Sequence, residues 1–221
     1  MRWRHPRTGL VLPGDFIPRA EETGLIVTIG TWVLEQACRQ AAIWRATHPD
    51  FTIAVNVSGR QLREASFPDT VRRALEEAQL PPENLCLEMT ESILMERDDA
   101  GIAMLCELRG EGVHLAIDDF GTGYSSLGAL RRLPADQLKI DRSFVSSLPE
   151  DDDAGTIAWA VVRLGHTLGM SVLAEGVETV QQREALLGFG CDHAQGWLFG
   201  RPVPPEEFGT ALRQAAVPPA G

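Results

Sequence analysis

The sequence has 221 residues, 44% hydrophobic and 23% charged, with 31 Asp+Glu against 20 Lys+Arg and a formal net charge of −11. That balance is globular, and its acidity excludes a surface devoted to gripping DNA. No apolar run approaches the roughly 18 residues that span a bilayer.

The N-terminal stretch Met1-Arg2-Trp3-Arg4-His5-Pro6 lacks the apolar core of a signal peptide. Cys38, Cys86, Cys106 and Cys191 form no C-x-x-C pair and sit in apolar surroundings, which predicts buried free thiols and a reducing cytoplasm.

In chain order, the first predicted element is a helix over 32–46, with Val33, Ala37, Ala41 and Trp44 on one face, and no strand is predicted before it. An apolar run over 51–55 then ends in Asn56, and a helix over 68–79 follows the N-cap candidate Ser66 and stops before Pro81-Pro82. The run 85–87 ends in Glu88, a helix over 100–109 stops at Gly110, and the run 113–117 ends in Asp118. Residues 137–138 lead to Lys139, a helix over 156–168 stops at Gly169, and the run 171–174 ends in Glu175. Thr179 caps a helix over 179–187, and the weaker run 193–194 ends in Gln195. Residues 1–212 read as one domain and 213–221 as a flexible C-terminal tail.

Strands this apolar have no wet face, so they read as parallel strands covered by helices, an α/β fold. Single polar residues at strand C-termini are where (β/α) barrels place their chemistry. No Gly-rich fingerprint follows the first strand, which disfavours a dinucleotide fold. About six strands are visible where a closed barrel has eight. The expectation is therefore a modified (β/α)8 TIM-type barrel, missing its first strands in this chain.

On that reading Asn56, Glu88, Asp118, Asp119, Lys139 and Glu175 share one rim. Crowded carboxylates repel and raise one another's proton affinity, and divalent cations relieve the repulsion. An all-oxygen set without His or Cys suits two ions of Mg²⁺ or Mn²⁺. Two such ions clamp an attacking hydroxide and a phosphoryl oxygen, and Lys139 could hold the nucleophilic water or neutralise charge on the phosphate. Among smaller signals, Glu150-Asp151-Asp152-Asp153 reads as a solvated loop. His5, His48, His114, His166 and His193 read as surface or packing residues, and Trp32, Trp44 and Trp159 as core. Tyr124 is the aromatic kept near the site.

The chain resembles the EAL domain, the cyclic di-GMP phosphodiesterase family. The resemblance is carried by Arg2-Trp3-Arg4-His5-Pro6, Asn56-Val57-Ser58, Glu88-Met89-Thr90-Glu91-Ser92 and Asp118-Asp119-Phe120-Gly121-Thr122-Gly123-Tyr124-Ser125-Ser126-Leu127. It continues through Leu138-Lys139-Ile140-Asp141-Arg142-Ser143-Phe144, Ala174-Glu175-Gly176-Val177-Glu178-Thr179, Gln195-Gly196 and Arg201-Pro202. It implies a barrel that hydrolyses one phosphodiester bond of cyclic di-GMP to give linear pGpG. By the same resemblance Asn56, Glu88 and Asp118 are ligands of a first metal, and Asp118 bridges to a second held with Asp119 and Glu175. Glu175 is a ligand or a general base; both roles stand. Lys139 contacts the nucleophilic water, Gln195 lines the site, Arg2 meets substrate phosphate, and Thr90 and Glu91 brace the loop 119–127. A homodimer, and sensor or diguanylate cyclase modules in a longer parent protein, are further implications.

The family's Glu-Ala-Leu triplet, whose Glu would complete the first metal site, falls before Met1. A phosphodiesterase weakened by that loss is therefore one expectation. A cyclic di-GMP-binding or interaction module without turnover is the other.

Overall fold

Leucine, isoleucine and valine side chains buried on both faces build the central sheet of the molecule, whose computed structural model describes residues 1–95, 98–121 and 127–215. A small hairpin comes first, β1 (Trp3–His5) antiparallel to β2 (Gly9–Val11), followed by α1 (Pro13–Thr23) and α2 (Leu25–Arg45). Then come β3 (Ile53–Asn56), α3 (Phe67–Ala78), β4 (Leu85–Thr90), the short α4 (Glu91–Met95) and α5 (Asp99–Gly110). β5 (His114–Phe120), α6 (Leu127–Leu130), β6 (Gln137–Ile140) and α7 (Arg142–Val145) lead to α8 (Asp152–Thr167). β7 (Ser171–Ala174), α9 (Val180–Phe189), β8 (His193–Ala194) and α10 (Pro205–Ala215) are the last elements among the described residues.

β3 to β8 form one parallel sheet in sequence order, each strand paired with its neighbour. A helix-bearing connection between successive parallel strands produces this simple winding, and the curled six-stranded sheet is a partial (β/α)8 barrel. Leu85, Leu87, Leu115, Ile117, Leu138, Ile140 and Val172 are fully buried, each worth about 1.5–3 kcal/mol of transfer free energy. The sheet therefore holds the polar strand ends rigidly at one rim.

The structure corrects several expectations. The hairpin and α1 precede the predicted first helix, and α2 begins seven residues before Trp32. Three-residue strands with exposed side chains leave no periodic signal, and Pro18 within α1 masks a helix. Ser66 makes no side-chain cap. Asp151 is a helix N-cap, accepting from the N–H groups of Asp153 and Ala154, so part of the supposed acidic loop starts α8. Trp32 and Trp159 are 56% and 50% exposed, because helical spacing does not say which face is turned inward. Trp44 does pack, against Phe51 and Phe208. Cys106 is exposed, whereas burial pushes the Cys38 thiol up to about 11 and that of Cys86 to about 12. Of the predicted tail, α10 takes in the residues up to Ala215, and 216–221 lie outside the described residues.

At the far end of the sheet Asp192 ties β7 to α8, its Oδ2 accepting from Val172 N (2.7 Å) and from the His166 ring (2.8 Å). Burial pushes this carboxyl up, but the His166 and Val172 bonds outweigh that and hold it below the ordinary aspartate range. An acid depressed in the folded state stabilises it above the unfolded pKa, and that stability is lost as pH falls through the folded value. Asp192→Asn is expected to cost about 1 kcal/mol at pH 7, the scale of a hydrogen bond to a partly solvated charge. The deficit closes below the ordinary aspartate range. Urea unfolding at the two pH values measures it.

Candidate active site

The rim is assembled by strand register. Asn56 pairs with Glu88 across β3 and β4, and Thr90 at the end of β4 stands opposite Asp118. Adjacent residues of a regular strand point to opposite faces, so a pair of neighbouring aspartates needs a local device to serve one site. The device is a bulge. Ile117 pairs with Leu138 and Phe120 with Ile140, so Asp118 and Asp119 together stand opposite Lys139. Asp119 takes φ +53°, a left-handed conformation that aspartate tolerates better than most residues.

Lys139 sits at the centre. It is 2% exposed, and its Nζ lies 2.8 Å from Glu88 Oε1, 2.9 Å from Asp118 Oδ1 and 2.6 Å from Glu175 Oε1. Burial alone would lower this ammonium's pKa. The Glu88 charge and the bonds to Asp118 and Glu175 outweigh it and hold Lys139 above the usual lysine range. Asn56 Nδ2 donates to Glu88 Oε2 at 3.1 Å, and Gln195 Nε2 donates to Glu175 Oε1 at 2.5 Å. The structure therefore brings together Asn56, Glu88, Asp118, Lys139, Glu175 and Gln195 in one hydrogen-bonded chain.

Asp118, Asp119 and Glu175 each offer a carboxylate oxygen, and these atoms lie within 4.8 Å of one another. Burial, followed by the charges of Asp118 and Asp141, raises the Asp119 pKa. Burial raises that of Glu175 against the pull of Lys139. Among the described residues four carboxylates thus face one ammonium on this rim, and the surplus negative charge with all-oxygen donors fits a hard divalent cation.

Glu91, 3% exposed at the start of α4, accepts from Gly121 N at 3.1 Å and so holds the first residue after β5. Gly121 has φ +97°, and a Cβ there would meet the Phe144 ring at 2.8 Å. Most of the loop that Thr90 and Glu91 were expected to brace, together with Tyr124, lies outside the described residues. Arg2 is exposed and lines a groove of ≈ 750 Å³ with Trp3, Phe16 and Trp32. Asp141 was missed as a site residue. It caps α7 through Ser143 N (2.9 Å) and bears on Asp119; the Asp-x-Ser spacing was the available signal.

The family described as EAL domain matches residues 1–202. Over 209 residues the chain is 51% identical to the bifunctional diguanylate cyclase/cyclic di-GMP phosphodiesterase MucR of Pseudomonas aeruginosa, covering 94% of this chain and 30% of that protein. Over 223 residues it is 47% identical to the cyclic di-GMP phosphodiesterase NbdA of the same organism, covering 99% of this chain and 28% of that protein. The chain thus spans less than a third of the length of either relative. A solved structure of the PaMucR phosphodiesterase in complex with c-di-GMP superposes with a TM-score of 0.89 at 51% identity, covering 94% of this chain and 84% of that one.

Proposed function

The chain belongs to the EAL domain family, and from that premise we propose that it hydrolyses cyclic di-GMP to linear pGpG at the rim around Lys139. The observation that carries this reading is the Lys139 ammonium bonded at once to Glu88, Asp118 and Glu175, with Asp119 alongside. In the reaction a water oxygen bonds to phosphorus and the P–O3′ bond breaks. A 5′-phosphate and a 3′-hydroxyl result, the water proton passing to a base and the departing O3′ gaining one.

Asn56, Glu88 and Asp118 would hold one Mg²⁺ or Mn²⁺, and Asp118, Asp119 and Glu175 the second. Such a pair supplies Lewis-acid stabilisation of phosphoryl charge and lowers the pKa of water. The chain's own groups do the rest. Lys139 gives its three N–H groups to Glu88, Asp118 and Glu175, so it would hold the attacking water with a donor released when divalent ions take up one of those carboxylates. Lys139 and Gln195 both bond Glu175 at Oε1, which leaves Oε2 to take a cation or a proton. Arg2 would meet a phosphate of the substrate.

The rim is anionic and so is a cyclic dinucleotide, so substrate should bind well only after divalent ions have reversed the local sign of charge. The test is incubation of the chain with cyclic di-GMP and Mn²⁺, with chromatographic separation of pGpG. Product is expected to appear, to vanish with EDTA and to return when Mn²⁺ or Mg²⁺ is restored in excess. Substrate binding with no product at any metal concentration would overturn hydrolysis and leave a cyclic di-GMP receptor.

A further inference from the structure

Helix α2 carries a glycine, Gly30, buried in the middle of its 21 residues, a position where glycine is unfavourable relative to alanine. The structure shows what the missing methyl makes room for. A Cβ on Gly30 would overlap the side-chain amide of Gln61, which is only 5% exposed. Gln61 Oε1 accepts from both Ser58 N and Ser58 Oγ at 3.2 Å, and Ser58 Oγ accepts from Gln61 N at 3.2 Å. Side chain and backbone close a reciprocal ring two residues beyond Asn56. From there Val57 N donates to Glu88 O at 2.8 Å, and Asn56 Nδ2 to Glu88 Oε2 at 3.1 Å.

We propose that Gln61 is a positioning residue for the candidate reaction: seated against Gly30, it fixes Ser58 and thereby the Asn56–Glu88 end of the cation-holding rim. The inference rests on the proposed function and deepens it. Asn56 is exposed at the last position of β3, where the ladder to β4 ends, and its side chain carries the pairing on by donating to Glu88 Oε2. α2 packs on β3 and on the turn that carries Gln61, and the absence of a Cβ on Gly30 is what lets the Gln61 amide lie against the helix while it bonds Ser58. Buried acceptors that orient a ligand are worth about 10–100-fold in metal affinity.

The experiment measures two quantities on the purified chain: the Mn²⁺ concentration that half-saturates cyclic di-GMP hydrolysis, and the rise in melting temperature produced by Mn²⁺ without substrate. Gln61→Leu, which keeps the shape but removes the acceptor, and Gly30→Ala, which pushes the amide aside, are expected to raise the half-saturating Mn²⁺ by about 10-fold or more. Both should shrink the Mn²⁺-induced rise in melting temperature, while KM for cyclic di-GMP at saturating Mn²⁺ stays within about twofold of wild type on the same positioning logic. Gln61→Glu retains an acceptor for Ser58 and should restore Mn²⁺ half-saturation to within about threefold of wild type.

If Gln61→Leu does not fold, Ser58→Ala opens the ring by deleting one hydroxyl and should shift Mn²⁺ dependence in the same direction by a smaller factor. Variants that lower the metal-free melting temperature but leave the half-saturating Mn²⁺ unchanged would overturn the inference while the proposed function stands. A wild-type chain with no Mn²⁺ response at all would overturn both.

Discussion

Lys139→Met is expected to reduce cyclic di-GMP hydrolysis by about 10²–10³-fold, the scale of removing one preorganised charge from a reacting centre. Methionine has nearly the length and volume of lysine, so the packing of β6 survives and the loss isolates the charge. The same substitution leaves Glu88, Asp118 and Glu175 facing one another with no ammonium among them. Breaking a buried ion pair from one side costs about 3–5 kcal/mol, because the remaining charges stay desolvated. Thermal melts of the metal-free variant should therefore fall well below wild type. Added Mn²⁺ should recover more of the loss than it adds to wild type, since a divalent ion can stand in for the missing charge but not for a directed N–H donor. Hydrolysis at the wild-type rate would reduce Lys139 to a structural counter-ion, and an unchanged melting temperature would mean that water reaches the three carboxylates freely.

That lysine illustrates what the sequence discloses and what it withholds. Apolar runs ending in Asn56, Glu88, Asp118, Lys139, Glu175 and Gln195 mark strand C-termini, and the parallel order of β3 to β8 brings those ends to one rim. Both facts follow from burial and local chain connectivity, so composition and spacing carry them. The contact pattern at the rim depends on register. Lys139 meets Asp118 in the register that pairs Ile117 with Leu138, the bulge that follows brings Asp119 to the same rim, and nothing in the string Ile117-Asp118-Asp119-Phe120 announces a bulge.

Elements with little buried surface escape in the same way. The hairpin of β1 and β2 exposes most of its side chains, and the first turn of α8 is set by the Asp151 cap within an acidic run. Gln61 is hidden for a third reason. Its partner Gly30 lies 31 positions earlier, and only the crossing of α2 over the end of β3 makes the pair meaningful.

Asp119 offers the sharpest separation of chemistry from backbone. Its carboxylate completes the group with Asp118 and Glu175, and its φ of +53° is the turn that lets two consecutive residues serve one rim. Asp119→Asn, Asp119→Ala and Asp119→Gly all delete the negative charge, and each is expected to lower hydrolysis by about 10²–10³-fold. Their stabilities should diverge. Alanine in the left-handed region costs about 1–2 kcal/mol, whereas glycine carries no Cβ penalty and asparagine tolerates the conformation through local hydrogen bonding.

Without metal, deleting the charge also relieves repulsion from Asp118 and Asp141, the charges that with burial raise the Asp119 pKa. Asp119→Asn and Asp119→Gly should therefore unfold at or above the wild-type urea midpoint, and Asp119→Ala should unfold below both. With Mn²⁺ present the order changes. Wild type gains most because it alone keeps all three carboxylates, and the variants gain least. Equal urea midpoints for Asp119→Ala and Asp119→Gly would refute the backbone account. A hydrolytically competent Asp119→Asn would refute the metal-holding one, leaving Asp118 and Glu175 to support the second ion by themselves.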